Sequence, residues 1–343
     1  MDFKKYLKIE AEKIEESEKK HLQIWQAWIS EKIPTLLPHA KAFSISCIGG
    51  KKLRGILISL GFEIGEGKGV GIVDIAAAYE ILHTAILAHD DVIDQSPIRR
   101  AKPSLYIELG GGHHGISQTI SLGDLGFFLA TKIISQSKFD DKLKSKALEY
   151  VSKPMMDTAL GEMLDVELPF LGKERQQKDV LSIMKYKTAR YTISSPLQLG
   201  AILSGAEKDL IDKLGAFGEN LGIAFQIQDD ILGVFGQEKE LGKSNKSDIE
   251  EGKNTILIIE AIKNADKAQM KVLGKYYGKG KLSDEGLERV RDVFIKTKAL
   301  EYAQKVASEY INEAKLYIPK ITENKKLTEK LEKIAEYLIE RKR

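Results

Sequence analysis

Apolar residues recur at helical spacing along nearly the whole chain. Positions 72–88, 119–135, 143–165, 208–233, 254–263 and 286–317 each repeat them three and four residues apart, the period of one helix face. Alternation with a period of two, the mark of a half-buried strand, is scarce. The pattern predicts an all-α protein. Pro34, Pro38, Pro97, Pro103, Pro169 and Pro319 fall where helices should start or stop, and "GEGKGVG" (65–71) and "GGG" (110–112) punctuate the gaps. Both ends are charged and helix-compatible. The last stretch, "KITENKKLTEKLEKIAEYLIERKR", is amphipathic, so its Leu and Ile stripe should pack on the body. With no repeat of fixed period and no Ser-, Gly- or Pro-rich linker, residues 1–343 are expected to form a single helical domain.

Composition adds mostly exclusions. Lys plus Arg at 53 against Asp plus Glu at 50 leaves a net charge of +3, which argues against nucleic acid as the main partner. The single cysteine, Cys47, allows no intramolecular disulfide and fits a reducing compartment. The N-terminus "MDFKKYLKIEAEKIEESEKK" lacks the apolar core of a signal peptide. Apolar runs are interrupted: 70–88 carries Asp74, Glu80 and His83, and 191–206 carries Pro196 and two glycines. A cytoplasmic protein without a transmembrane segment is expected.

The chemistry starts with acids in apolar company. Aspartate doublets occur at Asp90-Asp91, Asp140-Asp141 and Asp229-Asp230. The middle pair lies in "QSKFDDKLKSK", polar on both sides, and reads as a solvated turn or helix start. The outer two lie in "ILHTAILAHDDVID" and "GIAFQIQDDILGVFG". A carboxylate beside that much hydrocarbon must be paired, protonated or bound to metal. On a helix, Asp90 and Asp94 share a face, with Asp91 about 100° round. Oxygen ligands of this kind suit a hard divalent cation such as Mg²⁺.

Cations alternate with these acids. "GGKKLRG" (49–55) places Lys51 and Arg54 three apart, on one face of an expected helix start, a favourable place for phosphate. Arg99 and Arg100 follow the first acid cluster. "KYKTARY" offers Lys187 and Thr188, and "ELGKSNKSDIEEGKNT" offers Lys243 and Lys253. Each alone reads as solvated surface; the alternation is what suggests a polyanionic ligand.

The order GKKLR, then HxxxxxxDDxxDxxxxRR, GD at 123–124, KT, FQxxDD and two GK pairs resembles the trans-type isoprenyl diphosphate synthases, or polyprenyl synthetases, over about residues 48–260. The resemblance implies a helical bundle around a central cavity, with the two acid motifs facing each other across it. It implies Asp90, Asp94 and Asp229 as principal Mg²⁺ ligands, supported by Asp91 and Asp230. Arg99, Lys187, Lys243 and Lys253 would contact an allylic diphosphate. Lys51, Arg54, His83 and Arg100 would hold isopentenyl diphosphate. Thr188 and Gln226 would steady the allylic cation through their oxygen dipoles, and Phe225 would line the cavity. The family also implies a homodimer through the helices near 119–165.

Four positions depart from the family pattern. Gly233 stands where a third acid of the second motif is frequent, Glu162 where glutamine is usual, Ala101 where glycine is common, and Tyr106 where histidine is frequent. No aromatic residue stands at Ala85, Ile86 or Leu82, upstream of Asp90, and Phe127 and Phe128 are placed to close the cavity deeper. A twenty-carbon product, geranylgeranyl diphosphate, is therefore expected from a dimethylallyl, geranyl or farnesyl primer, and Ala85→Phe should shorten it. The runners-up are a farnesyl or longer product and a non-catalytic partner subunit. A terpene cyclase lacks support, because "DDILGVFGQ" has no Asn/Asp–Ser/Thr–Glu constellation.

Overall fold

Helices account for almost all the regular structure in the computed structural model, which describes residues 2–170, 176–236 and 244–339. Among these residues the strands are limited to Ile98–Arg99 and Lys102–Pro103, paired antiparallel as a minimal hairpin. The chain divides into two compact units: Met1–Ser152 with Pro196–Asp212, and Lys153–Ser195 with Lys213–Arg343.

The first unit is built on α1 (Phe3–Lys32), α2 (Leu37–Cys47), α3 (Leu53–Ile64), α4 (Ile72–Ile93), the short α5 (Leu105–Glu108) and α6 (Gly112–Ser135). Helix α4 is its axis. Tyr79, Ile81, Ala85 and most other α4 residues are buried, and the helix packs against α1, α3 and α6. It is long and apolar enough to cross a membrane by length and composition, yet most of its apolar window is covered by protein. Small residues let α6 lie close: a Cβ at Gly126 would come within 2.7 Å of the Phe43 ring and 2.9 Å of Ala85. Each fully buried Leu or Ile here contributes about 1.5–3 kcal/mol.

The helices that follow are α7 (Asp141–Glu167), α8 (Gln177–Ile183), α9 (Ser195–Ser204) and α10 (Lys208–Phe235); α8 belongs to the second unit, and the other three have residues in both. The core of the second unit gathers Ile223, Ile227 and Ile231 of α10 with Ile256, Leu257 and Phe294 from later helices. The expected helical run at 286–317 is two helices, Asp284–Lys296 and Ala299–Lys315, broken where Lys298 adopts φ +60°. The C-terminal helix Lys325–Ile339 buries Leu327, Leu331, Ile334 and Leu338, the stripe read in the sequence.

Between α8 and α9 the backbone widens into a π-helix, Met184–Ser194. Such segments are rare and concentrate at functional sites. Three glycines make room for it: a Cβ at Gly161 would meet the Lys187 amide nitrogen at 2.3 Å, one at Gly222 the Ala189 Cα at 2.6 Å, and one at Gly218 the Ser194 Cα at 2.5 Å. Arg190 then ties it to both neighbours, with ion pairs to Asp157 (2.6 Å) and Glu219 (3.0 Å).

Candidate active site

The first acid cluster lies where α4 ends. Its last turn carries Asp90 and Asp91, and Asp94 caps it, its backbone N–H donating to the Asp90 carbonyl. The chain then folds back through the hairpin and returns Arg99 onto the helix end. One Arg99 guanidinium N–H donates to Asp90 Oδ2 and Nε–H to Asp91 Oδ1, each at 2.8 Å. Burial pushes the Asp91 carboxyl up, against the lowering pull of Arg99. Burial also opposes the charge on Arg99, but Asp90 and Asp91 outweigh it and raise its pKa. The arginine expected to meet phosphate is thus an internal counter-ion of the first two acids.

The hairpin turn shows what one departure from the family pattern costs. Arg100 and Ala101 both take left-handed φ, +52° and +59°. A two-residue turn of this kind favours glycine, so Ala101 is held there at a steric cost of about 1–2 kcal/mol. Arg100 is thereby turned toward the 49–54 loop, where a Cβ on Gly50 would come within 3.3 Å of its guanidinium.

That loop does not follow the expected register. Helix α3 begins at Leu53, so Lys51 precedes it, exposed, and does not share a helical face with Arg54. His83 is buried in α4, and its pKa is lowered by burial foremost, with Arg54, Arg100 and Arg99 adding to the effect. His83 is therefore neutral at physiological pH, with one ring nitrogen to donate and one to accept.

In the second unit, Asp229 and Asp230 lie in the last two turns of α10. Asp230 is buried and accepts a hydrogen bond from Gln226 Nε2 (2.8 Å). Its pKa is raised well above the carboxylate range by burial, then by Asp248 and Asp229. Asp248 is the residue that sequence reasoning missed. A Cβ on Gly233 would strike Asp248 Oδ2 at 2.0 Å, so the buried Asp248 carboxylate occupies the space left by the missing side chain of the motif's fifth position. An acid is supplied from another element where the motif lacks one. The only sequence signal was the coincidence of a glycine in the motif with a nearby Asp. Lys253 pairs with Asp248 (3.1 Å) and Glu251 (3.3 Å).

Lys187 projects from the π-helix between Glu162 (2.8 Å) and Asp165 (2.9 Å) of α7. Glu162, where the family usually has an amide, thus acts as a second anionic partner for that lysine. Thr188 is half-buried beside it, and Phe225 is buried in α10. Lys243 lies outside the described residues.

The expected cavity floor is corrected in one respect. Phe128 is 72% exposed, so it does not line the interior of its unit, whereas Phe127 stacks on the His89 ring at 5.4 Å between centroids. Ala85 is fully buried against α6. The Asp140-Asp141 pair is the helix start it resembled: Asp140 Oδ1 accepts from the Leu143 amide (2.9 Å), and the Asp141 side chain is fully exposed. Among the described residues no group of three or more His, Cys, Asp and Glu side chains is gathered closely enough to hold a metal ion by itself.

Comparison with known proteins places these features in one family. The polyprenyl synthetase model matches residues 39–294. The chain is 31% identical to the geranylgeranyl diphosphate synthase of Sulfolobus acidocaldarius over 93% of its own length and 95% of that protein's. It is 33% identical to the corresponding synthase of Saccharolobus solfataricus, over 88% of this chain and 90% of that one. The geranylgeranyl pyrophosphate synthase of Corynebacterium glutamicum, crystallised with isoprenyl diphosphate and magnesium, superposes with a TM-score of 0.92 at 25% identity, covering 99% of this chain and 100% of that one.

Proposed function

The chain belongs to the polyprenyl synthetase family, and from that premise we propose that it condenses isopentenyl diphosphate with an allylic diphosphate to make geranylgeranyl diphosphate. The observation that carries the reading is the retention, in one family match, of both acid clusters and the cationic 49–54 loop. Because the match spans residues of both units, the two are read as one catalytic domain.

The donor set fits magnesium. Asp90, Asp91, Asp94, Asp229 and Asp230 supply only hard oxygen ligands, and the raised pKa of Asp230 marks a carboxylate that gains from a nearby cation. When bound, Mg²⁺ supplies positive charge that makes diphosphate a better leaving group.

The chain's own residues do the rest. Arg99, Lys187, Lys243 and Lys253 hold the allylic diphosphate, Lys187 by giving up Glu162 or Asp165. The allylic C–O bond breaks with its electron pair leaving on diphosphate. Thr188 and Gln226 present oxygen dipoles to the resulting cation. Lys51, Arg54, Arg100 and neutral His83 hold isopentenyl diphosphate so that its π pair forms the new C–C bond. The proton then lost passes to a diphosphate oxygen.

Dimerisation through α6 and α7 is part of the same reading. Phe128 and Leu125 on α6 are exposed, as are Met156, Leu160 and Met163 on one stripe of α7, a pattern that a protein partner would cover. Incubation of the purified chain with isopentenyl diphosphate, magnesium and each primer in turn should yield a twenty-carbon product. Absence of turnover with every primer overturns the catalytic reading in favour of a partner subunit, and a fifteen- or twenty-five-carbon product overturns the assigned length.

A further inference from the structure

The N-terminal helix α1 has the charge density of a surface helix, yet Glu18 on it is 0% exposed. Its partner is Lys52, 4% exposed, in the middle of the "GGKKLRG" loop. Lys52 Nζ donates to Glu18 Oε2 (2.5 Å) and to the Cys47 carbonyl (2.6 Å). The second oxygen, Oε1, is buried without a hydrogen-bond partner. Burial pushes the Glu18 carboxyl up to about 8, against the lowering pull of Lys52. Two charges removed from water are weak evidence for stability, so their use must be sought elsewhere.

Their position supplies it. Lys52 holds φ +48° at the cap of α3, a left-handed conformation that a non-glycine residue keeps only where its surroundings over-determine it. The loop is gripped on every side: the Gly49 amide donates to Glu15 Oε2 on α1 (3.0 Å), the Gly55 amide to Glu80 Oε1 on α4 (2.9 Å), and Gly50 lies under the Arg100 guanidinium. With the Lys52 side chain drawn inward onto α1, Lys51 before it stays exposed, and Arg54 follows on the first turn of α3.

We propose that Glu18, acting through Lys52, is a positioning residue that holds the 49–54 loop in the conformation that binds isopentenyl diphosphate. This rests on the reading of that loop as the isopentenyl diphosphate site. Lys52 is then a peg and not a phosphate ligand, and α1 takes part in recognising a substrate it does not touch.

The test compares Glu18→Gln, Lys52→Arg and the double variant Glu18→Leu/Lys52→Met, which removes both buried charges and keeps their volume. For each, KM is measured separately for isopentenyl diphosphate and for the allylic primer, with melting temperature alongside. Metal-free binding of isopentenyl diphosphate is followed by calorimetry. The expected result is a KM for isopentenyl diphosphate raised on the order of tenfold in Glu18→Gln and in the double variant, with kcat and the allylic KM within about twofold of wild type. Lys52→Arg, which keeps the cation, should retain most of the affinity. A double variant that melts like wild type and has a wild-type KM for isopentenyl diphosphate overturns the proposal, as does an equal rise in both KM values. If the wild-type chain itself neither binds isopentenyl diphosphate nor turns over, the functional reading fails and this inference falls with it. If wild type works and only the KM split is missing, the inference alone fails.

Discussion

The two aspartate doublets in apolar company each bury one member, Asp91 and Asp230, and they meet that expense by different means. At the end of α4, Asp90 and Asp91 share one guanidinium, Arg99, delivered by a hairpin only a few residues on. At the end of α10, Asp230 has an amide partner, Gln226, and a like-charged neighbour, Asp248, so its carboxyl is driven upward in pKa. The first cluster carries its own counter-ion directly on both acids; in the second, the cation Lys253 pairs with Asp248, and Asp230 keeps a raised pKa. A diphosphate bound at the first must compete with carboxylates for Arg99, whereas a cation added beside Asp230 would relieve the burial and repulsion that raise its pKa. The third doublet, Asp140-Asp141, is exposed and merely starts a helix, which separates the effect of burial from that of the dipeptide.

Removing an acid from either of these two clusters is the largest test of this contrast. Asp90→Ala and Asp229→Ala should each cut kcat/KM for prenyl transfer by at least about a hundredfold, while Asp141→Ala stays within about twofold; steady-state assays at saturating magnesium read the difference. An equal, small effect at all three would remove the distinction.

Gly233→Ala addresses the second cluster alone. The new methyl must displace the Asp248 carboxylate, so stability should fall by about 1–3 kcal/mol and the magnesium concentration for half-maximal rate should rise. Denaturant melts and a magnesium titration check both. Asp248→Asn should relieve Asp230 of a like charge, and a raised magnesium requirement without a loss of stability would mark Asp248 as part of the metal environment.

Behind the first cluster, His83 gives a pH signature. Its folded pKa is depressed, so between that value and the unfolded value of about 6.5 the unfolded chain binds the extra proton. Stability is therefore present above about pH 6.5 and lost as pH falls below it. His83→Asn should remove up to about 1.4 kcal/mol per pH unit from that slope, read as melting temperature between about pH 7 and pH 5.

The smallest expected change is a gain. Ala101→Gly relieves the left-handed φ in the turn that carries Arg99 and should stabilise the chain by up to about 1 kcal/mol. A loss would show that the alanine restrains the unfolded chain more than it strains the turn.

Much of the helical layout was legible because a buried helix face has a local period. The acid doublets, the 72–93 helix and the C-terminal stripe could be read from neighbours within a turn or two. The same locality explains the errors. A continuous apolar period at 286–317 hid the break at Lys298, since the two helices share the period across a single left-handed residue. Phe128 follows Phe127 on the same helix and so suggests a shared role, while its exposure depends on what packs on that side of α6.

By itself, then, the chain of residues determined the helical class, the order of its acid and cation motifs and the family they resemble, because these depend on spacing along the backbone. Tertiary structure alone decided that Arg99 pairs with both Asp90 and Asp91, that Asp248 fills the place over Gly233, and that Glu18 reaches Lys52. Each of those pairings depends on where the backbone returns in space, and the energy of a buried charge is set by the partner it meets there, not by its neighbours in sequence.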